Sequence, residues 1–383
     1  MLGLRLHSSL DELPAQAWDA LHDRRNPFVE HAFLAGLERE RCLRAQWGWT
    51  PRHASLWRAG QLVAAAPGYL KTNSHGEFVF DQAWASAYAR LGRPYFPKWL
   101  VAVPYSPVSG PRLLARDPAD AVALSAALIE QAGRDGLSSV HVNFHAPGEA
   151  AAFDGRWLAR QDVQFHWRNR GWTDFGGFLA ALQPKKRKNL RQEREKVARA
   201  GYTFRTVHGD EASDDDLADM HGFYCRTFGD YGNHPALTLD FFRHLARELP
   251  RQVVLMLAHR DGAAVAGALC LRGGDTLYGR YWGSSEPTPA PGLHFETCYY
   301  QGIDYCLREG LQVFEPGAQG EHKIARGFLP VTTHSRHWVA DRDIAQALDG
   351  WCAQERTGSE DYRQAVLAHT PYLDADPPAP ART

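Results

Sequence analysis

Between Phe314 and Pro330 the chain reads FEPGAQGEHKIARGFLP, which places Glu315, Glu321, His322 and Lys323 among the glycines Gly317, Gly320 and Gly327. Carboxylate, imidazole and ammonium groups in one segment are the set needed to move a proton and to hold developing negative charge. Sequence this rich in Gly and charge is poor helix and poor strand material. The charges therefore sit on irregular backbone, where glycine permits close approach to a ligand. The QVF ahead of them predicts a short strand ending on Glu315, a position at which active-site groups sit in open α/β sheets. A polar turn closed by a salt bridge is the plainer alternative.

A second candidate is LYGRYWGSSEPTPAPGLHFE. It predicts a strand through Arg280 and Tyr281 to Trp282, a loop from Ser284 to Gly292, and a helix opening near His294 and Glu296. A helix N-terminus offers free N–H groups to an anion. The plainer reading makes Glu296 a capping residue and His294 a surface one. His294, Glu296, Glu315 and His322 lack the tight spacing of a metal motif, so no metal is expected. In the first half, LKTNSHGEFVFD carries Lys71 and His75, and a predicted strand ends at Asn143 and His145; these are expected to line a substrate groove.

The elements that position these groups occur twice. RAGQLVAAA (Arg58 to Ala66) matches RDGAAVAGA (Arg260 to Ala268), and each reads as a hairpin with a short Gly turn. GEFVFD and DTLYGRYWG follow as third strands. Then come the helices PADAVALSAALIEQAGRDG and LHFETCYYQGIDYCLREG, each closed by Gly, and the strands of GLSSVHVNF and GLQVFEPG. Two such copies predict two similar α/β domains, 1–170 and 171–370, with a Pro-rich tail, 371–383, expected to be disordered. Residues 184–201 predict a basic helix carrying Lys185, Lys186, Arg187, Lys188, Arg191, Arg194, Lys196 and Arg199. It reads either as a solvated face held by Glu–Arg pairs or as a phosphate clamp for a coenzyme, a nucleotide-linked substrate or a tRNA backbone.

Composition bounds the rest. With 383 residues, 44% hydrophobic and 23% charged, the chain is a two-domain globular protein. A net charge of −1 provides no global field for nucleic acid or membrane, so an RNA-binding reading rests on the basic helix alone. No apolar run has the length of a signal core or a membrane span. Six scattered cysteines form no zinc or disulfide pattern, and a cytoplasmic location is expected.

Hairpin, strand, anion loop, helix and strand is an order that resembles the GCN5-related acetyltransferase (GNAT) core. KKRKNLR (Lys185 to Arg191), HKIARGF (His322 to Phe328), KTNSHGEFVFD, GRYWG and LHFETCYYQ resemble the FemAB-like predicted N-acyltransferases of the peptidoglycan biosynthesis/recognition group, over nearly the whole chain. The resemblance implies a fold of two tandem GNAT-like mixed-sheet domains. It also implies acyl or aminoacyl transfer to an amine, linked to cell-wall peptide metabolism. The donor would be acyl-CoA or aminoacyl-tRNA, the acceptor a small or peptide-like amine, and no cofactor would be bound permanently. Lys323 would hold the oxyanion, with Glu315 or Glu321 as base relayed by His322. Arg280 and Tyr281 would orient the acyl group, and Arg187 and Arg191 would reach phosphates. A non-catalytic protein binding peptidoglycan precursors or peptides is the alternative.

Overall fold

The computed structural model describes residues 2–286, 289–318 and 320–373. In chain order the strands are β1 (Leu2–His7), β2 (Trp49–Pro51), β3 (His53–Arg58), β4 (Gln61–Ala66), β5 (Gly68–Lys71), β6 (Lys98–Val101), β7 (Leu114–Ala115), β8 (Ser139–Asn143), β9 (Leu158–Arg168), β10 (Thr203–His208), β11 (Val253–Arg260), β12 (Ala263–Gly273), β13 (Thr276–Ser284), β14 (Val313–Glu315) and β15 (Leu329–Val339). Unit 1 comprises Met1–Val163 and Thr332–Tyr362; unit 2 comprises Gln164–Val331 and the segment from Arg363. The expected boundary near residue 170 is thus corrected. The chain returns to unit 1 after Val331, because β15 supplies the strand that pairs with β8, Ser335 opposite Asn143 and Val339 opposite Ser139. The expected tail is also shorter at its start: Tyr372 is buried, stacks on Trp172 and donates from its hydroxyl to Gly327 O at 2.6 Å. Residues 374–383 lie outside the described residues.

In unit 1 one sheet runs β1-β3-β4-β7 and a second runs β15-β8-β6-β5-β2. In unit 2 the order is β10-β11-β12-β13-β14-β9. The hairpin echo is real in detail. Ala59-Gly60 and Asp261-Gly262 turn through left-handed backbone at φ +49° and +83°, and at +53° and +85°. Positive φ at both central residues matches the twist of the flanking strands. Each ladder also carries a bulge at the same place, between Leu56 and Trp57 and between Ala258 and His259.

The helix Pro118–Arg134 begins on Asp117, whose carboxylate accepts from Ala119 N, with Pro at the first helical position. It buries Leu124, Leu128 and Ala132 among Ala54, Ala64, Ala66, Val140 and Val142 of the strands. Its counterpart spans 293–308 and contains one π-helical turn, Glu296–Tyr300. That helix buries Tyr300, Ile303, Cys306 and Leu307 with Leu277, Phe314 and Phe328.

GEFVFD is not a strand. Gly76 and Phe78 take φ of +76° and +61°, which breaks the extended backbone that the alternating apolar residues suggested. The strand following the first hairpin is instead β5, paired with β6 and β2. No described helix is long and apolar enough to cross a membrane.

Candidate active site

The site in unit 2 grows from a divergence of two strands. β13 pairs with β14 in parallel for only three positions, ending at Tyr278 opposite Glu315, while β13 runs on to Ser284. Against β12 the register slips between Leu269 and Cys270, leaving Arg280 as the extra residue between the paired positions Gly279 and Tyr281. A bulge of this kind re-aims a side chain and marks functional sheet edges. Here it sends Arg280 to Glu315: Nη2 donates to Oε1 at 2.7 Å, and both side chains are almost wholly buried. His166 Nε2, from β9, lies 3.9 Å from Glu315 Oε2. Burial, reinforced by Arg168, Arg280 and Lys323, holds the His166 imidazole down to about 3, so it is neutral.

Lys323 enters the same charged patch from the 3-10 helix Glu321–Arg326. Only 2% of its surface is exposed, and Nζ donates to Gly317 O at 2.7 Å. Burial, with a further contribution from Arg280 and against the pull of Glu315, lowers its ammonium to about 7. Gly320 enters this helix at φ +116°, a conformation that favours glycine, and a Cβ there would displace the exposed His322 ring.

The other sequence candidates fall as follows. His322 is largely exposed; its Nε2 lies 3.0 Å from Tyr299 Oη and its ring packs on Phe295. Glu321 stands on the surface at the start of the 3-10 helix. Tyr281 packs edge-on to Tyr224. His294 is no surface group: it meets Trp282 and Tyr299, and burial holds its imidazole down to about 4. Glu296 is no cap either. It is buried and takes Arg194, whose Nη2 also donates to Asp304 at 2.8 Å. Glu315 and Glu296 are thus held by different arginines, Arg280 and Arg194. The loop before the helix falls partly on Pro287 and Thr288, outside the described residues; Glu286 anchors it to Arg260 at 2.5 Å. Lys71, His75 and Asn143 belong to unit 1. Lys71 Nζ sits 3.6 Å over the Trp49 ring and donates to His75 O at 3.1 Å, and burial lowers it to about 7. Asn143 is buried at the end of β8.

The basic helix, Pro184–Arg199, has two faces. Glu193 and Arg194 anchor it: Glu193 accepts from Arg326 at 2.8 Å and from the Tyr300 hydroxyl, and Arg194 holds Glu296. On the other face, Arg187, Lys188 and Arg191 flank a groove of about 310 Å³ and make no ion pair among the described residues. Within the helix itself, Arg199–Glu195 is the one Glu–Arg pair among the described residues. His166 and the pairing of Glu193 with Arg326 escaped sequence reading, because the partners lie far apart in the chain and no local spacing marks them.

Repeated hairpin–helix–strand units, with a bulged strand diverging beside a buried lysine, define a mixed α/β protein of two tandem GNAT-like domains. The chain belongs to the FemAB-like family, described as peptidoglycan biosynthesis/recognition, whose model matches residues 9–374. Among solved structures it resembles FemX, with 11% identity, 88% of this chain and 98% of that one covered, and a TM-score of 0.51. It equally resembles L-PGS from Bacillus licheniformis, with 11% identity, coverage of 92% and 98%, and a TM-score of 0.51. At these identities the likeness concerns the fold. No functionally curated protein matches the sequence.

Proposed function

We propose that the protein transfers an acyl or aminoacyl group to an amine, with the chemistry in unit 2 and a link to cell-wall peptide metabolism. The observation that carries this reading is Lys323, a buried lysine lowered to about 7 in a patch shared with Arg280 and Glu315. A lysine titrating there takes up and returns a proton near neutral pH. In the proposed step the acceptor nitrogen attacks the donor carbonyl carbon, its proton passes to Lys323 Nζ, and the resulting ammonium faces the oxyanion. Collapse breaks the bond to the thiol or ribose leaving group, which takes the proton back from Lys323. The base is therefore assigned to Lys323, while Glu315 positions Arg280. β13 runs on to Ser284 after its last pair with β14, Tyr278 with Glu315, and a strand diverging in this way suits an extended amide-containing substrate. Arg187, Lys188 and Arg191 suit the phosphates of acyl-CoA or aminoacyl-tRNA, donors that place the reaction in the cytoplasm.

The buried Arg280–Glu315 pair is also what a non-catalytic peptide or precursor binder would show. One experiment separates the two. The protein is incubated with acyl-CoA or aminoacyl-tRNA panels and amine acceptors, and products are read by mass spectrometry. Transfer that Lys323→Met reduces about a hundredfold or more supports the enzyme. Donor or acceptor binding without any transfer supports the binder.

A further inference from the structure

Unit 1 contains a cavity of about 320 Å³ that the acyl-transfer reading does not use. Its walls are aromatic: Phe78, Phe80, Phe144 and Trp351. Phe78 and Phe144 take φ of +61° and +57°, a region that is costly for a residue with a side chain and that clusters where a binding surface is being held in shape. Phe80 and Trp351 keep 60% and 36% of their surface exposed. Exposed aromatics scattered singly need no explanation, but several around one concavity form a recognition surface.

The polar side of the cavity fixes the kind of ligand. Arg160 lines it with 7% of its surface exposed. Its Nε and Nη2 donate to Glu355 at 2.8 and 2.6 Å, and its guanidinium lies 5.2 and 5.0 Å from the ring centroids of Trp84 and Trp351. Its Nη1 is buried and has no hydrogen-bond partner among the described residues, a donor that stays unsatisfied unless a small shift of the side chain lets an oxygen acceptor reach it. Glu355 already balances the Arg160 charge, and Asp162 adds a second carboxyl, so an anion gains nothing here. A cation accepts no hydrogen bond and so leaves the Arg160 donor unsatisfied. Gln161, Ser335 and Ser359 add neutral donors and acceptors.

We propose that this cavity is a saccharide subsite that takes one pyranose ring, free or at the end of a glycan. The ring's C–H face stacks on Trp351 and Phe80, and a ring or hydroxyl oxygen accepts from Arg160 Nη1. A pyranose supplies what the cavity asks for: a flat apolar face, acceptors and donors together, and no charge. The assignment concerns binding by unit 1 and is independent of the acyl-transfer reading.

The test is titration of the full chain with glucose and N-acetylglucosamine, followed by calorimetry and tryptophan fluorescence. Sorbitol serves as the ringless control, glucuronate as the anion and choline as the cation. The expected result is saturable pyranose binding that changes tryptophan emission, with sorbitol inactive. Trp351→Ala and Phe80→Ala, both at exposed positions and so compatible with folding, should each weaken it by about fivefold or more. A β-linked disaccharide binding tighter than its monosaccharide would identify a glycan end as the natural ligand; equal binding would identify the free sugar. The proposal is overturned if neither pyranose saturates by roughly tens of millimolar, if binding survives both substitutions unchanged, or if glucuronate or choline binds more tightly than the sugars.

Discussion

Lys323 carries the sharpest consequence at the scale of a single residue. The folded protein releases its proton near pH 7, whereas an unfolded chain holds a lysine proton to about 10.4. Between those values the unfolded chain binds more protons, so stability rises with pH across that window. Below it both forms are charged, and the penalty of burying the ammonium is present in full. Lys323→Met should therefore raise the melting temperature most at pH 6 and progressively less toward pH 10, as calorimetry would show. The same substitution should remove the rise in kcat/KM through about pH 7 that a neutral-lysine base predicts for the wild type. A gain over wild type of the same size at both pH values would refute the burial argument, and a flat wild-type profile would refute the base.

Elements were legible where the signal was local. The Gly turns at Gly60 and Gly262, the closing glycines Gly136 and Gly310 at φ +66° and +69°, and the basic helix could all be read from neighbouring residues. GEFVFD misled because alternation carries no information about the sign of φ, and its Glu77 is buried to meet Lys98 of β6 at 2.7 Å. The site was half legible. Lys323 and Glu315 stood out as charges on glycine-rich backbone, but the Arg280–Glu315 pair depends on a bulge, and a bulge leaves no residue-type signature. Packing between elements yields a test of its own. Gly302 of helix 293–308 rests on Phe314 of β14 so closely that a Cβ would overlap the ring. Gly302→Ala should cost ~1–3 kcal/mol in denaturant unfolding, and Phe314→Leu added to it should recover part of the loss. For the basic helix, the double substitution Arg187→Glu and Arg191→Glu should leave unfolding within about 0.5 kcal/mol of wild type. It should also weaken acyl-CoA or aminoacyl-tRNA binding and flatten its salt dependence. Unchanged affinity for both donors would make that face merely solvated.

For the whole molecule, the two units were foreseeable from the repeat, but their boundaries were not. A repeat shows what is duplicated, not which unit claims the last strand. β15 completes the sheet of unit 1 through its ladder with β8, and Arg160 meets Glu355 across 195 positions of sequence. Removing everything after Val331 should therefore unfold unit 1, although its first 163 residues remain. Limited proteolysis of the truncated chain should cut β8 and β9 early; a protease-resistant fragment covering residues 1–163 would contradict this.

That return of the chain has a meaning for biosynthesis. A ribosome adds residues at about 5–20 per second, so Val163 leaves it well before Thr332, the point at which unit 1 resumes. For an interval on the order of ten to forty seconds, the nascent first unit waits with the β8 edge uncovered. Unit 2, all but its short final segment, is complete sooner, although it begins later. The half of the protein made first is thus the one whose sheet closes last, and trigger-type holding factors on the emerging chain would find their target at β8.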